Sequence, residues 1–235
     1  MSGDRGDPEH AWVYEQIVRT VPGITTPGTA LAAQFIGFEA AVLILAMWYG
    51  LPAAAVAGTV AVVVAVAGSA FMLWTANTIR SEAVPPAYRR LLLGSGIDVV
   101  FGLVAFCGLL VYLFVYDPGR AGPGLLDALL GDRPPLVAVF GFLVIGWDLT
   151  YRIGVGWWAS VVGLWRSHRF GPELPASTRA RLQRIDAVSI GYATLQLLLV
   201  PILAGNPLLQ LAIVGHVVAV MVVSGTSILL LARHG

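Results

Sequence analysis

The sequence predicts an all-α integral membrane protein with six transmembrane helices. Three observations carry that expectation. Hydrophobic residues make up 57% of the 235 and charged residues only 11%, against about 45–50% and about 25% in a soluble domain. Six apolar runs each approach the roughly 20 residues a helix needs to cross a bilayer. The basic residues, all of them arginine, fall mostly in the loops on one side of those runs. With 14 basic and 13 acidic side chains the net charge is +1, so no electrostatic footprint suggests a nucleic-acid partner. The lone cysteine, Cys107, excludes an internal disulfide and a two-thiol redox motif.

Residues 1–26 are polar and mixed and read as a cytoplasmic N-terminal segment. Asp7-Pro8-Glu9 has the pattern of a helix start, with Asp as cap and Pro at the first helical position. Ala11, Tyr14, Val18 and Val21 then recur at helical spacing beside Trp12. This predicts a short amphipathic helix lying in the membrane interface, ended by Pro22-Gly23 and Pro27-Gly28. A cleavable signal peptide is not expected, because no short apolar core lies near the start.

Residues 27–235 read as the six-helix transmembrane domain. The spans are expected at 29–49, 52–74, 91–116, 136–158 (with a continuation to Trp165 as the alternative), 187–204 and 207–231, with the fifth helix beginning earlier, at Ser177. Gly50-Leu51 and Gly205-Asn206 are tight joints and imply antiparallel neighbours. In the second span Ala57, Ala61, Ala65 and Ser69 recur every four residues and predict a packing face. In the glycine- and proline-rich segment 117–135, Leu125, Leu126, Leu129 and Leu130 predict one or two amphipathic turns. No loop is long enough for a soluble domain, which needs about 50 residues.

Arginine placement sets the expected orientation. One side receives Arg5, Arg19, Arg80, Arg89, Arg90, Arg166, Arg169, Arg179, Arg181, Arg184 and Arg233; the other receives Arg120 and Arg133, and Arg152 lies within a span. Positive loops stay cytoplasmic, so both termini are expected there, in a multi-pass protein of the plasma membrane. Trp48, Tyr49, Tyr112 and Tyr116 then fall at the outer ends. Trp74, Tyr88, Trp157, Trp158 and Trp165 fall toward the inner ends, as aromatic belts do.

The candidate site consists of residues that lipid should reject. A charged side chain at mid-bilayer costs about 2.5–3.5 kcal/mol on insertion scales. Glu39, Asp98, Asp148 and Arg152 lie in spans, and His216 is a fifth titratable group there. Asp148 and Arg152 are four apart and can pair on one helix face, either as an ion pair that docks the helix or as a gate. Three carboxylates against one guanidinium leave excess negative charge, to be met by a proton, a cationic His216 or a bound cation. Gly94, Asp98 and Gly102 share a face of the third helix, where glycines admit a close neighbour. Ser189, Tyr192 and Gln196 form a polar stripe on the fifth helix and are expected to line the same site. The segment 147–158 is the densest in unusual residues.

The first functional reading is a small transporter or channel for protons, cations or a small solute. Glu39, Asp148 and His216 carry or gate the ion, Arg152 is the fixed counter-charge and Asp98 a cytoplasmic-side relay. The alternative is a non-catalytic membrane module that scaffolds or modulates a partner. Its basic stretch, residues 166–184, reads as a loop able to face anionic headgroups. A membrane enzyme acting on a lipid or isoprenoid ranks third, so an enzyme is the less favoured class.

Several chemistries are excluded. Retinal attachment needs a lysine, and there is none. A rhomboid-type protease needs a serine in the fourth span, but 141–146 reads Gly-Phe-Leu-Val-Ile-Gly. One intramembrane histidine does not make a histidine-rich di-iron centre. A carboxylate–histidine metal site from Glu39, Asp98, Asp148 and His216 is chemically allowed but lacks ligand spacing, and no motif names a cofactor. The expected partners are the bilayer and either a second copy or another membrane protein. An all-arginine chain rich in Ala, Val and Gly points to a GC-rich prokaryotic genome.

Overall fold

The structure, a computed structural model, describes Trp12 and residues 26–233. The interfacial helix expected within residues 1–26 lies outside the described residues, apart from Trp12. Among the described residues there are helices and turns and no strand. The first helix, α1 (Pro27–Tyr49), starts where the Thr26 hydroxyl accepts from the Thr29 amide and Pro27 takes a position that needs no donor. It ends at Gly50, whose φ of 65° is left-handed and suits a residue without Cβ. Pro52 then opens α2 (Pro52–Ser81), so the chain reverses within two residues into an antiparallel hairpin.

The expected third span is not one uninterrupted α-helix. A short helix α3 (Pro86–Leu93) stops at Gly94, and α4 (Ile97–Val111) begins after Gly96, which has φ 69°. The Ser95 hydroxyl accepts from the Ile97 amide at 3.3 Å across the break. Gly94-Ser95-Gly96 combines two poor helix formers with a side chain that competes for backbone donors. Gly94 is therefore exposed in the break rather than packed on one face with Asp98 and Gly102. A π-helical turn (Tyr112–Tyr116) and a 3-10 turn (Asp117–Gly119) continue α4. The leucines of the following segment form α5 (Leu125–Leu130), with Leu125 and Leu130 turned inward.

The next helix, α6 (Leu136–Phe170), has 35 residues, about 52 Å at 1.5 Å per residue. Nothing between Trp158 and Phe170 breaks it, and Gly171-Pro172 does. Residues 166–170 are thus helix rather than loop, and Arg166 is fully buried. After Pro175 the chain enters α7 (Ala176–Leu195), relaxes into a 3-10 turn (Gln196–Leu199) and reverses at Gly205, φ 83°. The last helix is α8 (Pro207–Ala232).

Among the described residues, five helical segments are long and apolar enough to cross a membrane: Gly28–Tyr49, Pro52–Ser81, Pro86–Gly119, Leu136–Glu173 and Pro207–Ala232. The expected fifth of six spans is not among them. The first eleven residues of α7 carry Arg179, Arg181, Arg184 and Asp186, and its regular helix ends at Leu195, which shortens the apolar part.

At one end of the bundle Arg120 donates to the Gly205 carbonyl at 3.0 Å and to Asn206 Oδ1 at 3.1 Å, tying the turn after α4 to the α7–α8 turn. At the other end Arg181 pairs with Glu82 at 3.0 Å. The largest core cluster joins α2, α3, α6 and α7 through Phe71, Met72, Tyr88, Val155 and Leu182. Trp12 belongs to it, only 1% exposed, with its indole N–H donating to the Leu92 carbonyl at 3.0 Å.

Candidate functional site

The Asp148–Arg152 pair forms as the four-residue spacing predicts. Arg152 Nε donates to Asp148 Oδ2 at 3.1 Å, and Nη2 donates to Oδ1. Gln34 of α1 donates to the same Oδ2 at 3.2 Å and accepts from the Ser69 hydroxyl of α2 at 2.7 Å. Arg152 is 2% exposed, while Asp148 keeps 20% of its side chain accessible. Fork geometry and added hydrogen bonds are what a guanidinium needs in such a place. Tyr192 of α7 lies against the same arginine. A Cβ on Gly68 would fall 2.9 Å from Arg152 Cβ and also strike the Tyr192 hydroxyl, so that glycine admits both side chains. The Tyr192 ring stacks on Phe71 at 5.4 Å, and fully buried Gln196 follows one turn on.

The other expected residues have separate partners. Glu39 accepts from the Thr59 hydroxyl at 2.7 Å within the α1–α2 hairpin. Asp98 sits in the first turn of α4, where free backbone amides favour a carboxylate, and accepts from the Tyr151 hydroxyl at 3.1 Å. His216 of α8 stands edge-on to Trp157, ring centroids 6.1 Å apart, and its buried Nε2 has no partner among the described residues. Ser189 turns back on its own helix, donating to the Ile185 carbonyl. The structure thus brings Asp148, Arg152, Tyr192 and Gln196 together, joined by Gln34 and Ser69, and gives Glu39, Asp98 and His216 their own surroundings. The crevice between Gln34, Phe38, Ile145 and Asp148 holds no volume that a water could occupy. Among the described residues no group of three His, Cys, Asp or Glu side chains is placed to hold a metal.

Sequence reasoning missed a second buried ion pair. Arg166 Nη2 donates to Asp186 Oδ2 at 2.6 Å, and the Ser227 hydroxyl donates to the same oxygen at 2.7 Å. The guanidinium lies over the Tyr88 ring, 5.3 Å from its centroid. Arg166 and Asp186 are 0% and 2% exposed, so one network joins α3, α6, α7 and α8. The available signal was the unbroken helix-forming run up to Gly171, which carries Arg166 inward.

A chamber of about 800 Å³ lies between α1, α2, α4, α6 and α8, toward the end where α5 sits. Small residues make the room: Ala57, Gly58, Ala61, Gly108, Gly141 and Ala212 line it. Ala57 and Ala61, expected as part of a packing face, therefore border this space, while Ala65 and Ser69 are buried in contacts. Leu125, Leu129 and Leu130 of α5 close one end. The polar side chains on its wall are Tyr112, Thr150 and His216. Tyr112 donates to Asn206 at 2.8 Å and Thr150 to the Gly146 carbonyl at 2.9 Å, which leaves His216 Nε2 unpaired. Val137, Phe140, Val144 and Leu208 line the chamber and are also exposed, so it opens onto the outer face of the bundle.

No curated protein and no solved structure matches the chain. A family model does match, over residues 8–227, and the chain accordingly belongs to that family, a family of unknown function (DUF7530).

Proposed function

We propose that the protein crosses the membrane six times and holds a long-chain apolar ligand in the chamber. The carrying observation is the chamber itself: about 800 Å³, walled by apolar side chains from five long helices and α5. Small-molecule pockets are mostly apolar and span about 300–1,000 Å³. The exposed rim at Val137, Phe140, Val144 and Leu208 supports loading from the lipid phase. In this reading α7 and its 3-10 turn supply the sixth crossing, and the arginine-rich end is cytoplasmic. The test is a photoreactive alkyl probe in proteoliposomes. Crosslinks concentrated on the chamber walls of α6 and α8, and lost when Ala212→Trp fills the space, are expected. Crosslinks spread evenly over the lipid-facing helix surfaces overturn it.

A second reading keeps ion handling by Glu39, Asp98, Asp148, Arg152 and His216. Its support is Asp148, accessible over a fifth of its side chain beside Gln34. Proton flux into liposomes would then fall in Asp148→Asn and Glu39→Gln, and equal flux in both variants removes the reading.

A further inference from the structure

We infer that α5 is a hinged lid over one end of the chamber, latched shut by the Asp117 carboxylate. This rests on the chamber reading and adds a second, gated mouth to the open rim. It holds for any apolar occupant.

The first argument is position. α5 (Leu125–Leu130) turns Leu125, Leu129 and Leu130 to the chamber, while Asp127 and Ala128 are exposed on its other side. Part of its inner face therefore rests on open space rather than on packed side chains. Leucines within and an exposed carboxylate without are the two faces that a cover over an apolar space needs.

The second argument is the hinges. α5 has six residues, well below the roughly 12–15 at which an isolated helix is even marginally stable in water. Gly122 before it has φ 103° and Gly131 after it φ 81°, both left-handed, and a Cβ on either would meet nothing within 4 Å. Both ends of α5 thus hang on a glycine turn with free space around it. The segment can swing there without unpacking any long helix, and elements with few buried contacts are the first to open.

The third argument is the latch. Asp117, in the turn that continues α4, is 3% exposed. Its Oδ2 accepts from the amide of Leu125, the first residue of α5, and its Oδ1 accepts from Arg120 Nε at 3.0 Å. Arg120 in turn holds the Gly205 carbonyl and Asn206, so one carboxylate joins the lid to the ends of α4, α7 and α8. A Cβ on Gly124 would fall 3.0 Å from Asp117 Oδ2, and the glycine lets the chain pass this close. Charge-assisted hydrogen bonds are the strong ones. One such contact at the start of α5, with Leu130 buried at its end, makes a closure that releases at a single point.

The experiment uses the full chain in nanodiscs, with Cys107 replaced by serine and Ala57→Cys as reporter, a buried position on the chamber wall. The probe is a permanently charged methanethiosulfonate, which does not cross lipid. Slow modification is expected while Asp117 is in place. Asp117→Ala should speed it about tenfold, the equivalent of one hydrogen bond. Asp117→Asn, which keeps an acceptor for the Leu125 amide, should fall between. Leu130→Ala loosens the other end of the lid and should also speed the reaction, so the gate is tested even where Asp117→Ala does not fold. Asp127→Cys, on the exposed face of α5, should react at one rate in every background, and Val155→Cys, 0% exposed in the core, should not react. A rate at Ala57→Cys that is indifferent to both Asp117 and Leu130 means entry through the open rim and overturns the lid, as does an acceleration that Val155→Cys shares. If Ala57→Cys never reacts while the alkyl probe still labels the chamber, the lid fails and the chamber reading stands. If the probe also fails, both fall.

Discussion

Gly154 of α6 and Gly102 of α4 meet backbone to backbone: a Cβ on Gly154 would lie 2.7 Å from the Gly102 amide nitrogen, and a Cβ on Gly102 would lie 2.9 Å from Tyr151 Cα. This crossing also brings the Tyr151 hydroxyl to Asp98. Substitution of either glycine by valine should separate the helices and cost about 1–3 kcal/mol, the usual range for overpacking. Thermal unfolding of the purified protein in detergent measures it. Gly215→Ala, where an added Cβ meets nothing within 4 Å, is the control and should leave the midpoint unchanged or slightly raised. Equal midpoints for the valine variants and the control would mean that the close contact is not a constraint.

The Arg166–Asp186 network should behave as a unit. Asp186→Asn or Arg166→Met alone leaves one charge buried without its partner and should cost about 3–5 kcal/mol. The double variant Arg166→Met with Asp186→Leu removes both charges and should recover most of that loss. A double-mutant cycle on unfolding free energies decides the matter. Additive losses in the cycle would show that the two side chains do not stabilise one another.

Around Asp148 the expected order is graded. Asp148→Asn takes away the carboxylate charge onto which the Arg152 guanidinium, 2% exposed, is forked. Gln34→Leu removes a hydrogen bond to a charged group, about 1.5–3 kcal/mol, but keeps the ion pair. Unfolding midpoints should therefore fall further for Asp148→Asn than for Gln34→Leu. The reverse order would mean that the pair is not held by mutual attraction.

The topology is open to direct labelling. With exposed Cys107 first replaced by serine, Asp132→Cys should react with an impermeant maleimide on intact cells. Ser177→Cys should react only after permeabilisation. Both positions are exposed, near opposite ends of the bundle. Labelling of both from one side would rule out the six-pass arrangement.

Much of the helix architecture was legible because its signals are local. Pro52 and Pro207 open helices where expected, and Gly50 and Gly205 take the left-handed conformations that the tight joints require. Of the candidate site, the Asp148–Arg152 pair was legible for the same reason, since both partners lie on one helix. Gln34 and Ser69 went unnoticed although both are polar residues in apolar runs. A neutral amide or hydroxyl is a weaker warning than a charge, and only its neighbour shows that it completes a network.

What the sequence determined by itself was set within one helix or one turn: helical membrane-type composition, the reversals at glycine, and the pairing of residues four apart. Tertiary structure decided everything that depends on how far one helix slides or rotates against another. The twelve residues by which α6 runs past Trp158 to Phe170 turn Arg166 from an expected loop cation into a buried partner of Asp186. The small residues of α2, α4, α6 and α8 could have sealed against one another. Their relative placement instead leaves an apolar chamber with His216 on its wall. Neither outcome has a marker at any single position, because each is a property of the gap between helices.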